Sequence, residues 1–127
     1  MDIKQVSSNS LAFIGDAIYT LKVREFFINH NYQAGKNIQK MCNGYNSANG
    51  QTKTFFRLKE EGFFTEEELE VYKRGRNCIT HIPKNGDRTT YQTATGLEAI
   101  AGYLYITDKN RMDLFFEKVF EGGITNE

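Results

Sequence analysis

Apolar residues recur at three- and four-residue intervals along most of the chain, a spacing that predicts helices joined by short polar turns. The first predicted helix covers residues 11–27, with Ser8 or Asn9 as its N-cap. Gly35 then interrupts the pattern and precedes a short predicted helix near residues 37–42. The N-terminal third of the chain is therefore predicted to be helical.

Two further helices are predicted in the middle of the chain. One covers residues 47–61 and ends at Gly62. The next begins at Thr65, because Thr65 followed three residues later by Glu68 is the signature of a capping box. Gly75 is predicted to end this helix or to loosen its last turn.

A long polar loop and two helices complete the pattern. Residues 76–92 contain Pro83, a glycine and several Asn and Thr residues, which is typical of a loop, and long loops inside a domain are usually functional or disordered. A strongly apolar helix over residues 93–106 and an amphipathic helix over residues 110–120 follow it. The predicted fold class is all-α.

Length and composition predict one folded domain over residues 1–127. Hydrophobic residues make up 39% of the chain and charged residues 25%, which is typical of a folded domain. A chain of this size can bury enough surface to fold without metal or disulfide cross-links. Sixteen Lys and Arg balance sixteen Asp and Glu, which excludes a histone-like polycation but not a nucleic-acid-binding protein with clustered cations.

Cysteine usage and the N-terminal segment favour a cytoplasmic protein. Cys42 and Cys78 are far apart in the sequence and form no CxxC pair, so they are expected to be buried, reduced thiols. The N-terminus shows no signal peptide, and Asp16 and Glu98 interrupt the longest apolar runs. We therefore expect no membrane-spanning segment and no membrane partner.

Asp16 and Glu98 are the two candidate catalytic residues. Asp16 is the only charged residue of LAFIGDAIY (residues 11–19), and Glu98 is the only charged residue of TGLEAIAGYLY (residues 95–105). A buried carboxylate costs several kcal/mol unless it is paired or binds a cation, so pairing with Arg, helix capping and cation binding remain alternatives for Asp16.

Packing of these two helices would allow both acids to bind one metal ion. Gly96 and Gly102 would permit a close approach of another backbone, and packed helices lie about 8–10 Å apart. Two carboxylates completed by waters and substrate phosphates are a typical Mg²⁺ site, and Mg²⁺ supports phosphodiester hydrolysis. Thr95 lies one turn before Glu98 and is a candidate for orienting that acid or its water.

Basic residues are concentrated after the predicted fourth helix, although the total charge is zero. Residues 73–88 contain five basic residues and one acid, whereas residues 59–70 contain one basic residue and six acids. The segments RGRN (residues 74–77) and PKN (residues 83–85) place cations and amides on this predicted loop. Such groups suit RNA phosphates and 2′-hydroxyls, although a solvated loop without a partner is the alternative.

Together these segments resemble the ribonuclease III endonuclease domain. LAFIGDAIY is similar to the signature helix of that family, and TGLEAIAGYLY is similar to its second acidic helix. The RGRN and PKN segments and residues 91–95 narrow the resemblance to Mini-ribonuclease III, a short form without a double-stranded-RNA-binding domain. The resemblance covers nearly the whole chain in matching order.

The resemblance implies an all-helical homodimer that hydrolyses double-stranded RNA with Mg²⁺, and in the short branch that matures precursors of large-subunit ribosomal RNA. Asp16 and Glu98 match the two central catalytic and metal-binding acids. Phe13 matches an aromatic residue that crosses the dimer interface, so it is expected to be exposed in a single chain. The resemblance assigns RNA binding to the residues that follow: Arg74, Arg76, Asn77, Lys84 and Asn85.

This sequence also departs from the longer enzymes of the family. They carry further acids where this chain has Asn9, Ala12 and Thr95, so the number of bound metal ions stays open. A non-catalytic double-stranded-RNA-binding dimer of the same fold is therefore the main alternative function. A helical, Mg²⁺-dependent nucleotide hydrolase would use the same two carboxylates but would leave the basic segment unexplained.

Overall fold

The computed structural model describes residues 2–78 and 86–123, and every regular element in those ranges is helical. This confirms the predicted all-α fold class. None of the described helices is long and apolar enough to cross a membrane. After a short 3₁₀ helix over Ile3–Gln5, the elements are α1 (Ser8–Asn29), α2 (Lys36–Asn46), α3 (Ala48–Glu60), α4 (Glu66–Asn77), α5 (Arg88–Thr107) and α6 (Lys109–Phe120).

Helix α5 is the centre of the fold, and α1, α3, α4 and α6 all pack against it. Its middle is apolar on nearly every side, so its side chains are covered by neighbours all round. Leu97, Ala99, Ile100 and Ala101 have no exposed surface. The predicted apolar helix over residues 93–106 is confirmed, and it lies at the core of the domain.

Two glycines bring the backbones of α1 and α5 into contact. A Cβ atom on Gly15 would overlap the carbonyl oxygen of Glu98, and one on Gly102 would overlap the carbonyl oxygen of Leu11. The close approach that the sequence suggested at Gly102 is thus present, and Gly15 supplies its counterpart on α1. Since Asp16 follows Gly15 directly, this contact fixes where the two candidate acids lie relative to each other.

Gly75 was predicted to end α4 or to loosen its last turn; it does not end the helix but lies inside it as a packing residue. A Cβ atom on Gly75 would come within 2.7 Å of the Ala99 Cβ atom and 3.2 Å of the Gly96 Cα atom. The helix therefore continues through Gly75 to Asn77. The absence of a side chain allows α4 to lie close against α5.

The loop predicted over residues 76–92 includes residues that are helical at both of its ends. Its first two residues belong to α4, and α5 begins at Arg88, five residues earlier than predicted. Threonines are weak helix formers, but here their hydroxyls are used inside the helix: Thr93 and Thr95 donate to the carbonyls four residues before them, at 2.8 and 2.9 Å. Residues 79–85 lie outside the described residues.

Most helix ends follow the sequence signals. The predicted capping box is present, because Glu68 N donates to Thr65 Oγ1 at 3.1 Å and Thr65 N donates to the Glu68 carboxylate at 3.0 Å. Gly62, with φ at +74°, follows α3 as expected. The N-cap of α1 is Ser7, however, and not Ser8 or Asn9.

Candidate active site

Asp16 and Glu98 lie next to each other across the contact between α1 and α5. The charge of Asp16 and its hydrogen bond to Glu98 both raise the pKa of Glu98, so the two carboxyl groups are close to each other. Glu98 is partly buried, whereas Asp16 is exposed in the single chain. The juxtaposition that the sequence permitted is therefore present.

The expectation that Asp16 is buried was wrong for the single chain. Asp16 lies at the border between the buried face of α1, which contains Gly15 and Tyr19, and an exposed face that contains Phe13 and Ala17. Helical periodicity shows that its neighbours are apolar, but not that two of them, Phe13 and Ala17, face solvent. Part of the apolar surroundings of Asp16 is thus exposed on the surface of the single chain.

Glu98 is the more perturbed acid of the pair. Its pKa is raised from an ordinary 4.5 to about 8, first by burial and then by the charge of Asp16 and the hydrogen bond to it. Gln51 acts in the opposite direction, because its amide donates to the carboxylate. Two carboxylates that repel each other in a partly desolvated place favour either a shared proton or a divalent cation.

Gln51 is a site residue that the sequence reasoning missed. It is buried on α3, with 3% of its surface exposed, and its Nε2 donates to Glu98 Oε2 at 3.4 Å. The signal was present in the sequence. Gln51 precedes Thr54, Phe55 and Leu58 by three, four and seven positions, so it is a polar residue on the inward face of its helix.

The other polar positions near the acids have different partners. The Thr95 hydroxyl donates to the Tyr91 carbonyl at 2.9 Å, so it is engaged with the α5 backbone. Asn9 Oδ1 accepts from Cys78 Sγ at 3.0 Å and links the start of α1 to the end of α4. Cys42 is buried as expected, but Cys78 is only partly so.

In the described ranges, no cluster of three or more His, Cys, Asp or Glu side chains is arranged to hold a metal ion. A cation bound between Asp16 and Glu98 would therefore take two carboxylates from the described part of one chain. Mg²⁺ is commonly bound by one or two carboxylates, with waters and substrate phosphates completing its shell. The all-oxygen donor pair therefore suits Mg²⁺.

The predicted RNA-binding residues Arg74, Arg76 and Asn77 lie on the last turn of α4 and not on a loop. Arg74 and Asn77 are exposed. The Arg76 guanidinium lies 5.6 Å from the centroid of the Tyr72 ring, and its Nε donates to Asn77 Oδ1 at 3.3 Å. The predicted residues Lys84 and Asn85 lie outside the described residues.

The last turn of α4 packs against the segment of α5 that carries Glu98. Gly75, within that turn, contacts Gly96 and Ala99, the residues two before and one after Glu98. The exposed cations of α4 therefore project from the molecule close to the part of α5 that carries the acid. The predicted RNA-binding residues of α4 and the candidate acid Glu98 of α5 thus lie on adjoining segments of two packed helices.

An exposed apolar surface adjoins Asp16. Phe13 is 82% exposed, as the resemblance led us to expect, and Leu21 on the same helix is 52% exposed. With Tyr105 of α5 they line a groove of about 570 Å³ that Asp16 also borders. Contiguous apolar surface of this kind is typical of a protein–protein contact.

Comparison with known proteins adds independent information. The model of the ribonuclease III domain family matches residues 9–109. The Mini-ribonuclease 3 of Enterococcus faecalis is 38% identical over 99% of this chain and 98% of its own length. The Mini-ribonuclease 3 of Staphylococcus aureus is 33% identical over 98% of this chain and 93% of its own length.

A solved structure shows the same fold. The crystal structure of protein FN1578 from Fusobacterium nucleatum superposes with a TM-score of 0.83 and 28% sequence identity. The match covers 97% of this chain and 98% of that one. The arrangement of helices described above is thus also found in a crystal structure.

Proposed function

The chain belongs to the ribonuclease III family of double-strand-specific endoribonucleases, and from this premise we propose that Asp16 and Glu98 are its catalytic carboxylates and bind Mg²⁺. The observation that carries the proposal is the placement of these two acids side by side by the Gly15–Gly102 contact between α1 and α5. We further propose that residues 1–127 act as one endonuclease domain in the cytoplasm.

Each residue of the site has a role that follows from its chemistry. Asp16 and Glu98 would supply carboxylate oxygens to Mg²⁺, and Gln51 would hold Glu98 by its amide. Bound Mg²⁺ lowers the pKa of a coordinated water and stabilises negative charge on phosphate oxygens. Because Glu98 is partly buried, bulk water would have limited access to the proposed metal ion on its side of the site.

The cations at the end of α4 are proposed to hold the RNA. Arg74 and Arg76, together with Lys84 and Asn85 outside the described residues, would contact phosphates, and Asn77 would donate to or accept from sugar hydroxyls. Support comes from the exposure of Arg74 and Asn77 and from the proximity of this turn to Glu98. The substrate proposed for the enzyme is a double-stranded region in a precursor of large-subunit ribosomal RNA.

The active form is proposed to be a homodimer that is joined through the groove beside Asp16. Phe13 would insert into the partner, and the partner would cover the exposed apolar face of α1. Such a contact would also remove water from the neighbourhood of Asp16. The exposed apolar residues around Asp16 would then serve to bind the partner subunit.

The test is cleavage of an end-labelled RNA duplex and its separate strands, with Mg²⁺ or with chelator. We expect Mg²⁺-dependent cleavage of the duplex alone, and its loss in Asp16→Asn and Glu98→Gln. Asp113→Asn removes an exposed acid from α6 and serves as the matched control, with activity retained. Wild-type rates in both site variants would refute the assignment, and duplex binding without any cleavage would favour the non-catalytic alternative.

A further inference from the structure

We propose that Gln51 is a positioning residue that holds the Glu98 carboxylate facing Asp16, and that metal affinity depends on it. The proposal rests on the assignment of Asp16 and Glu98 as metal ligands. It adds a residue of α3 to a site otherwise built by α1 and α5. Three properties of Gln51 support this role: its backbone is fixed, its amide is buried, and it donates without carrying a charge.

The backbone that carries Gln51 is fixed from two sides. On one side, Ser47 caps α3 by accepting from Gly50 N at 3.0 Å, and a Cβ on Gly50 would overlap the Gly44 carbonyl oxygen of α2. On the other side, Thr52 Oγ1 donates to the Thr90 carbonyl of α5 at 3.1 Å. Gln51 therefore points from a rigid first turn of α3 toward α5.

Burial of the Gln51 side chain has to be offset by a hydrogen bond. Only 3% of Gln51 is exposed, and an amide removed from water without a partner costs free energy. Its neighbours on the inward face of α3 include Phe55 and Leu58, and an apolar residue of similar length would fill this position without that cost. Its contact with Glu98 Oε2 at 3.4 Å is the interaction that offsets the burial.

An amide suits this position because it donates without bringing a charge. A Lys or Arg against Glu98 would also fix the carboxylate, but its positive charge would compete with a divalent cation for the same oxygens. The Gln51 nitrogen can only donate, so it occupies one lone pair of Oε2 and leaves the other acceptor positions of Glu98 for a cation. Partners that orient metal ligands in this way commonly change metal affinity by about 10–100-fold when mutated.

The experiment compares Gln51→Met, which keeps the length of the side chain and removes the donor, with Gln39→Met on the exposed surface of α2. Calorimetry measures the Mn²⁺ dissociation constant of the RNA-free protein, and single-turnover cleavage measures the Mg²⁺ concentration for half-maximal rate. For Gln51→Met we expect both quantities to rise by about 10–100-fold, with unchanged duplex affinity in chelator. Gln39→Met is expected to match the wild type.

The outcomes separate this proposal from the assignment of the acids. A folded Gln51→Met with wild-type Mn²⁺ affinity and Mg²⁺ dependence would overturn the role of Gln51. If Gln51→Met does not fold, Gln51→Asn retains an amide that is one methylene too short to reach Glu98, and it is expected to weaken metal binding similarly. Unchanged Mn²⁺ affinity in Glu98→Gln would instead refute the proposed metal site itself.

Discussion

Asp16 and Glu98 are the same kind of group in unequal surroundings. Asp16 is exposed in the single chain, whereas Glu98 lies partly buried between α1, α3 and α5 with an amide and a carboxylate against it. Burial, followed by the charge of Asp16, raises the pKa of Glu98 to about 8. A divalent cation at the proposed site would therefore compete with the proton on Glu98.

The raised pKa of Glu98 predicts how the stability of the metal-free protein depends on pH. Because the folded state favours the protonated acid, this contribution is fully present below the ordinary pKa of 4.5 and is lost as pH rises toward 8. In chelator, the free energy of unfolding should fall over this range by an amount on the order of a few kcal/mol. Denaturant unfolding at several pH values measures it.

Glu98→Gln is the control for this effect, since glutamine has the shape of the protonated acid and does not titrate. Its free energy of unfolding should fall less steeply with pH than that of the wild type. Added Mg²⁺ should stabilise the wild type increasingly as pH rises, because the ion binds the ionised carboxylate. Parallel pH profiles for the two proteins in chelator would contradict the assignment of the titration to Glu98.

At the scale of elements, the site depends on glycines that let helices touch. Gly15 and Gly102 bring α1 against α5, and Gly75 and Gly96 bring α4 against the same helix. In each place a side chain would separate backbones that now lie in contact. The relative positions of the two acids and of the α4 cations therefore follow from four positions where a side chain is absent.

Gly15→Ala is predicted to destabilise the fold strongly, because the added methyl group would overlap the backbone carbonyl of Glu98, which cannot rotate away. Gly44→Ala is the matched control on α2. No atom lies within 4 Å of the Cβ it adds, so it should be neutral or stabilise the helix by about 0.5–1 kcal/mol. Thermal unfolding compares the two, and equal melting temperatures would show that α1 and α5 can move apart without cost.

The sequence predicted which segments are helical and singled out Asp16 and Glu98 as candidate acids, but not what each helix face meets. Periodicity placed Asp16 among apolar residues, yet part of that apolar surface faces solvent. Gly75 has the sequence signal of a helix end, and only the packed partner α5 shows that it is a contact position. Gln51 was missed for the same reason, because its partner Glu98 is distant in sequence and belongs to another helix.

At the scale of the whole molecule, the net charge is zero, but α4 separates negative and positive residues at its two ends. This helix begins with Glu66, Glu67 and Glu68 and ends with Arg74 and Arg76, an order that matches the helix dipole. Glu68 is buried and pairs with Arg111 Nε of α6 at 2.8 Å, so part of the acidic end serves the fold. The basic end packs against the segment of α5 that carries Glu98 and is the surface proposed above to hold RNA.

The double variant Arg74→Ala with Arg76→Ala is predicted to weaken duplex binding and to reduce its salt dependence while leaving the fold intact. Removing one phosphate-binding cation should lower the slope of log affinity against log salt by about 0.9. Lys40→Ala with Lys59→Ala removes the same charge from exposed positions on α2 and α3 and should leave the slope unchanged. Equal slopes for all three proteins would exclude the end of α4 from the RNA-binding surface.

If the proposed homodimer forms through Phe13, Phe13→Ala shifts the protein from dimer toward monomer. Since Phe13 is 82% exposed in the single chain, its ring contributes little to intrachain packing, and its removal should act mainly on association. A buried aromatic anchor is worth about 2 kcal/mol or more, and a two-fold interface contains it twice, so the dimer dissociation constant should rise by at least about two orders of magnitude. Sedimentation over a range of protein concentrations measures this.

Phe56→Ala is the matched control, because Phe56 is 47% exposed on α3 and does not line the groove beside Asp16. Phe56→Ala should sediment like the wild type, and its melting temperature should depend on protein concentration as that of the wild type does. The melting temperature of Phe13→Ala should not depend on protein concentration. Cleavage by Phe13→Ala should recover at high protein concentration if assembly alone is impaired. A Phe13→Ala protein that sediments like the wild type at every concentration would place the dimer contact elsewhere on the molecule.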